Sequence, residues 1–220
     1  MRFHDRQDAG RQLADRLGEY ANRPDVLVLA LPRGGVPVGA EVASRLGAPL
    51  DVWLVRKLGV PGYAELAMGA VAAGGIQVLN DDVIESLHIA GPTVAQVAAR
   101  ERAELDRRAR AFRGERPLPD VRGRTVILVD DGLATGSTME AAIAAVRRLE
   151  PAAIVVAVPV GARDTCDRLS HVADRMVCLL SPGLFRAVGE WYLDFSETTD
   201  EEVRRLLETA YERSARSPVH

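Results

Sequence analysis

The chain has 220 residues, 47% of them hydrophobic and 27% charged, with a formal net charge of −3. That length suffices for one substantial α/β domain, and 1–220 is read as a single domain. The acidic balance argues against a nucleic-acid partner, and no apolar run approaches the roughly 20 residues of a membrane span.

In chain order, the opening Met1-Arg2-Phe3-His4-Asp5-Arg6 is too polar for a signal peptide, which makes the cytoplasm the expected compartment. Leu13 and Leu17, four apart, mark an amphipathic helix over 7–20. The continuous apolar run 26–31 is the mark of a strand buried on both faces. Pro32-Arg33-Gly34-Gly35 breaks it, and a helix over 37–46 follows, stopped by Gly47. A second strand covers 51–55, and 56–63, with two glycines and a proline, reads as a loop. Segments 67–73 and 76–79 flank Gly74-Gly75 as a hairpin. A long charged helix over 93–113 carries Val94, Val97, Ala98 and Leu105 on its apolar side, and the proline-bearing 116–122 is a linker. Strand 125–130 runs into a helix over 137–149, then strand 153–158, helix 164–170 and strand 176–180. A final charged helix over 200–215 takes Thr199 or Asp200 as its cap. Cys166 and Cys178, both in apolar contexts, read as buried free thiols. The alternation of strands and helices argues a doubly wound, mainly parallel α/β sheet flanked by helices.

In such sheets ligands sit beyond the carboxyl ends of the strands, which singles out loops 32–35, 56–66 and 130–138. The last is the most informative. Four apolar residues, Val126 to Val129, run into Asp130 and Asp131, and a loop of small residues with three hydroxyls follows. A helix begins there, so its first N–H groups are unpaired and its dipole is positive, which welcomes an anion. Thr135, Ser137 and Thr138 add donors, and Gly136 lets the backbone close on a phosphate. Asp130 and Asp131 have the wrong sign for phosphate but suit sugar hydroxyls or Mg2+. Diol-binding carboxylates beside a phosphate nest describe a ribose 5-phosphate site. The plainer alternative is a capped helix after two solvated carboxylates. A Walker loop is excluded by the absence of lysine between 131 and 139. A Rossmann fingerprint after the first strand would need glycine where Val36 stands.

The stretch Val129-Asp130-Asp131-Gly132-Leu133-Ala134-Thr135-Gly136-Ser137-Thr138 resembles the signature of type I phosphoribosyltransferases, and residues 26–195 agree with that family in order, more loosely. The resemblance implies the fold of that family with a small hood. It also implies Mg2+-dependent transfer of a phosphoribosyl group from phosphoribosyl pyrophosphate to a nucleobase or similar nucleophile, with release of pyrophosphate, as in nucleotide salvage. Ala134, Thr135, Gly136, Ser137 and Thr138 would hold the 5-phosphate. Asp130 and Asp131 would serve catalysis by contacting the ribose hydroxyls, directly or through Mg2+.

Leu31-Pro32-Arg33-Gly34-Gly35 resembles the family's pyrophosphate loop. Glycine there frees N–H groups for the anion, and Arg33 can neutralise it with a fork of donors. Arg56 and Lys57, at the end of the second strand, could clamp a pyrophosphate. In similar enzymes cations at this place sometimes reach a neighbouring subunit's site, so a homodimer is expected. The loop 58–66, in a flap spanning about 56–80, resembles the mobile catalytic flap, which would exclude water from an oxocarbenium-like centre. Glu65 corresponds to the loop glutamate that is the candidate acid/base of the adenine branch. Ala134 stands where the 6-oxopurine branch has aspartate, as in the adenine and uracil branches. The helix over about 93–113 counts as an insertion.

The hood, about 181–197, gathers Phe185, Trp191, Tyr192 and Phe195. Their faces, that of Trp191 foremost, could stack a flat base, or they could be core or dimer interface. The stretch is loosely similar to the 6-oxopurine hood with one extra residue, and Asp194 would help hold a second Mg2+. Hood and signature thus point to different branches, and the base acceptor stays unidentified. Two other functions share the site: a non-catalytic sensor of phosphoribosyl pyrophosphate, and a hydrolase or phosphorylase using water or phosphate.

Overall fold

The computed structural model describes residues 2–216, and of Ala64, Glu65 and Arg216 the backbone alone. In chain order its elements are helix α1 (Arg6–Arg16), strand β1 (Val26–Ala30), α2 (Gly35–Leu46), β2 (Leu50–Val52), β3 (Val55–Val60), β4 (Tyr63–Ala72), β5 (Ile76–Leu79), α3 (Asp81–Ser86), α4 (Gly91–Arg113), β6 (Thr125–Val129), α5 (Ser137–Arg147), β7 (Ala153–Val160), α6 (Arg163–Ser170), β8 (Arg175–Leu180) and α7 (Asp200–Arg216). The main sheet has five parallel strands in the order β2-β1-β6-β7-β8, and β3-β4-β5 form a separate antiparallel sheet.

The order follows from which runs are apolar on both faces. Every residue of β1 and β6 is buried, as the centre of a covered parallel sheet requires. Helical crossovers carry the chain outward from that centre in two directions, through α2 to β2 and through α5 and α6 to β7 and β8. The strand order therefore reverses between β1 and β6. Helix α2 packs on both α1 and α7, and α5 and α6 pack on β6, β7 and β8. The ladder from Val26↔Thr125 to Ala30↔Val129 brings the carboxyl ends of β1 and β6 level. The Leu31 N–H extends it, donating to the Val129 carbonyl at 2.8 Å. The two loops that leave these strands thus start side by side at the switch point, where ligands of open α/β sheets bind.

The expected doubly wound, parallel α/β architecture is therefore observed, with three local differences. Residues 56–63 are not a loop. They form β3 and the start of β4, joined at Pro61-Gly62 with Gly62 at φ 83°. Leu58 and Val60 face the core, and the pairing slips on both sides of Gly59, so glycine there marks an irregularity inside a strand rather than its end. The strand over 51–55 is divided: β2 stops at Val52, and β3 starts at Val55 in the other sheet. Helix α3 is added, capped by Asn80, whose side chain accepts from the Val83 N–H; it buries no residue, so no apolar period announced it. The hairpin around Gly74-Gly75 forms as read, with β4 and β5 paired from Gly69↔Leu79 to Ala72↔Ile76.

Helix α4 packs on β3, β4 and α7. Its last turn is tied to β2 through Arg113, whose Nε and Nη2 donate to Asp51 at 2.9 and 2.8 Å. Cys166 is a buried free thiol and Cys178 a half-buried one. No described helix is long and apolar enough to cross a membrane. Of the two caps read for α7, Thr199 is the one used: its Oγ1 accepts from the Glu202 N–H at 3.1 Å. Thr199→Ala is expected to cost about 1 kcal/mol, read as a lower urea midpoint at unchanged slope. An unmoved midpoint would mean that α7 does not depend on this cap.

Candidate functional site

Strand β6 delivers Asp130 and Asp131 to the switch point, and the loop after β1 presses against them. A Cβ on Gly35 would lie 2.7 Å from the Val129 carbonyl oxygen and 2.9 Å from the Asp130 Cα. A Cβ on Gly34 would collide with Asp131 Oδ2. The two glycines are thus required by close approach to the acidic pair. The Pro32–Arg33 peptide between the strand and these glycines is cis. Arg33 is exposed at the rim, where its guanidinium pairs with Glu197 and lies 3.5 Å from Asp200 Oδ1.

Both carboxylates are half-buried, and they titrate high. Burial, with the adjacent Asp131, pushes the Asp130 carboxyl well above the ordinary carboxylate range. Burial also raises Asp131, while the Arg6 guanidinium opposes the rise. Arg6 had no signal in the sequence, standing 125 positions from its partner. Its Nε donates to Asp131 Oδ2 at 2.9 Å, its Nη1 donates to the Ser196 carbonyl at 2.6 Å, and its guanidinium carbon lies 4.0 Å from the Phe195 ring centroid. The side chain is only 11% exposed. It joins α1, the acidic pair and the 191–197 segment at one point.

The loop 134–138 turns into α5 at Gly136. Gly136, at φ 70°, is the residue before the helix and offers no side-chain cap. The first-turn N–H groups therefore have no partner inside the helix. Thr135 and Ser137 share a hydrogen bond of 3.2 Å between hydroxyls. Lys57 Nζ donates to Ser137 Oγ at 3.2 Å. Behind the loop, Thr165 Oγ1 donates to the Ala134 carbonyl at 2.7 Å and Arg168 Nη2 to the Thr135 carbonyl at 2.6 Å.

The Arg56-Lys57 pair does not act together in one chain. It lies on β3, where neighbouring residues point to opposite faces. Lys57 reaches Ser137 at the start of α5, whereas Arg56 donates through Nε and Nη2 to Glu101 Oε2 of α4, at 2.9 and 2.6 Å. The expectation that both end the second strand of the main sheet is corrected: the chain has already crossed into the antiparallel sheet. Glu65 lies on β4, and its side chain is outside the described residues.

The hood aromatics are largely engaged in packing. Tyr192 is buried with Phe3, Ala9 and Val160, and its ring centroid lies 5.5 Å from Phe3 and 5.1 Å from Phe195. Its hydroxyl donates to the Asp131 carbonyl at 2.6 Å. Burial and the Asp131 charge raise the Tyr192 hydroxyl, which keeps it a donor. Trp191 ends a short 3-10 turn, Val188–Trp191, and packs on the same cluster; its indole N–H is buried without a partner. The hood also touches the signature, since a Cβ on Gly132 would lie 2.6 Å from Val188 Cγ1. Asp194 is exposed and accepts from the Ser196 hydroxyl and, at 2.9 Å, from the Ser196 N–H, and these two bonds lower its pKa. It lines a small polar cavity of about 130 Å³ with Asp5, Arg6 and Glu197. No group of three acidic, histidine or cysteine side chains converges as a metal site among the described residues. Two carboxylates are present at the switch point, and a hard cation shared with substrate oxygens needs no more from the protein.

The family model for the phosphoribosyl transferase domain matches residues 3–194. Two Mycobacterium tuberculosis proteins, provisionally named phosphoribosyl transferases, are 48% identical over 209 residues, which is 95% of this chain and 47% of theirs. The chain therefore spans about half the length of the curated relatives it matches. The crystal structure of TT1426 from Thermus thermophilus is 47% identical and covers 94% of this chain and 98% of its own, with a TM-score of 0.86. AQ2163 from Aquifex aeolicus, 12% identical with 84% and 78% covered, shares the fold at a TM-score of 0.52.

Proposed function

The chain belongs to the type I phosphoribosyltransferase family, and on that premise we propose that it transfers a phosphoribosyl group from phosphoribosyl pyrophosphate to a nucleobase or similar nucleophile, using Mg2+ and releasing pyrophosphate. The observation that carries this reading is the contact of Gly34 and Gly35 with Asp130 and Asp131 at the switch point. It sets a loop suited to pyrophosphate, a pair suited to a diol and the 134–138 nest along one edge of the sheet. Ala134, Thr135, Gly136, Ser137 and Thr138 take the 5-phosphate, with Lys57 beside Ser137 as the neutralising cation. Arg33 and the N–H groups of Gly34 and Gly35 take the pyrophosphate. Asp130 and Asp131 take the ribose hydroxyls.

The donor set also fits the cation. Two adjacent carboxylates forced above their usual range form a site whose like charges are relieved by a divalent ion. Asp130 and Asp131 would hold Mg2+, with Asp194 in reserve for a second ion. When bound, Mg2+ would supply charge neutralisation for the leaving pyrophosphate. The chain's own groups orient the ribose and hold the two anionic ends in place. The acceptor enters on the hood side, where Trp191 forms one wall. Glu65 exchanges the acceptor's proton. A homodimer and a cytoplasmic role in salvage complete the proposal. Arg56 and Lys57 find partners within their own chain, so they do not argue for the dimer.

Pyrophosphate release from phosphoribosyl pyrophosphate and Mg2+, measured across a panel of bases, tests the reading. Release that depends on one base is the expected result. Release independent of base would indicate a hydrolase. Tight binding without turnover would leave a sensor. Glu65→Gln is expected to lower the turnover number about tenfold or more with KM within about threefold. An unaltered turnover number would remove Glu65 from proton transfer.

A further inference from the structure

Helix α6 lies outside the signature, yet two of its residues hold the back of the nest. Thr165 is buried and donates to the Ala134 carbonyl, and Arg168 donates to the Thr135 carbonyl. A carbonyl oxygen facing a bound phosphate repels it, whereas an N–H attracts it. Tying consecutive carbonyls of 134 and 135 backward turns the following N–H groups forward. The arrangement is also close-fitting. A Cβ on Gly136 would lie 2.5 Å from Thr165 Cγ2 and 3.4 Å from Arg168 Nη2, so α6 also forms the wall against which the positive-φ residue turns. Arg168 further approaches Glu140 of α5, with Nε 3.6 Å from its Oε2, which links α6 to the first turn of the anion-facing helix. The bridge Leu133↔Gly161 fixes the spacing between the nest and the loop that opens α6.

We infer that Thr165 and Arg168 are positioning residues for the 5-phosphate subsite: they orient the 134–138 backbone toward the anion and set donor affinity without touching the reacting atoms. This rests on the phosphate reading of 134–138. Two ligands separate the inference from that reading. Ribose 5-phosphate probes the nest, and inorganic pyrophosphate probes the 32–35 loop.

Calorimetric titration of the full chain is expected to show that Thr165→Val weakens ribose 5-phosphate about tenfold, the weight of a part-buried hydrogen bond whose carbonyl acceptor is left unpaired. Thr165→Ser, which keeps the hydroxyl, is expected to stay within about twofold of the parent. Arg168→Gln is expected to weaken it about threefold, less because the guanidinium is exposed. Pyrophosphate affinity is expected to stay within about twofold in all three, and in turnover assays the loss is expected in KM for the donor rather than in kcat. Ribose 5-phosphate bound by the parent and equally well by Thr165→Val and Arg168→Gln would overturn this inference and leave the nest standing. A matching loss of pyrophosphate affinity, or no rescue by Thr165→Ser, would also overturn it, since the effect would then be general. No binding of ribose 5-phosphate by the parent would overturn the nest and this inference together.

Discussion

Asp130→Asn combined with Asp131→Asn is expected to weaken phosphoribosyl pyrophosphate, measured with Mg2+, by roughly 100-fold or more. Two charge-assisted contacts are lost, each worth about 1.5–3 kcal/mol. The fold is expected to survive, because asparagine matches aspartate in volume and the sheet does not depend on the two charges. For Asp130 alone the sign of the stability change follows from its titration. The folded protein holds this carboxyl well above its ordinary value through burial and the neighbouring Asp131. The ionised form is therefore less stable in the fold than in the unfolded chain. Its cost is absent below the unfolded pKa and grows as pH rises through the folded one. Asp130→Asn should thus raise the melting temperature of the ligand-free protein at about pH 8, and the gain should vanish near pH 4. Asp131→Asn carries no such expectation, because it leaves the nearly buried Arg6 without its carboxylate. Unchanged donor affinity in the double variant would refute the ribose assignment. A gain from Asp130→Asn that persists at low pH would refute the account of its burial.

Gly35→Ala is expected to cost about 3 kcal/mol or more, at the upper end of what an added methyl costs in a packed interior. The atoms in its way are the Val129 carbonyl and the Asp130 Cα, at 2.7 and 2.9 Å, and main-chain atoms at the end of a central strand cannot step aside as a side chain can. Gly34→Ala meets a side-chain carboxylate instead, which can rotate away. It should therefore cost less stability and more donor affinity, since the rotation moves Asp131. Gly18→Ala has no atom within 4 Å of the new methyl and serves as the control, expected within about 0.5 kcal/mol. Urea midpoints read all three. A Gly35→Ala midpoint equal to that of Gly18→Ala would contradict the packing of the 32–35 loop against the acidic pair.

The central strands and the loops that leave them were legible because their physics is local. An apolar run, a breaker and a helix start sit within a dozen residues of one another at 26–46 and again at 125–149. The antiparallel sheet was less legible. Gly59 and Gly62 read as loop residues, although Leu58 and Val60 alternate inward as a strand does. A bulge glycine and a turn glycine look alike until pairing is known. The contribution of Arg6, Thr165 and Arg168 was invisible because each acts on a residue dozens of positions away or more. The hood was ambiguous for a different reason. Aromatic composition is the same whether rings stack a base or each other, and Tyr192 and Phe195 take Phe3 and Arg6 as neighbours. Lys57 and Arg56 look like one basic pair in sequence, and only the strand's two-residue period separates them.

A crystal structure with phosphoribosyl pyrophosphate and Mg2+ bound tests the central claim most directly. The account predicts the 5-phosphate within hydrogen-bonding reach of the N–H groups of 135–138. It places the ribose hydroxyls on Asp130 and Asp131 and the pyrophosphate against Arg33, Gly34 and Gly35. A phosphate bound away from 134–138, or ribose hydroxyls that meet neither carboxylate, would contradict it.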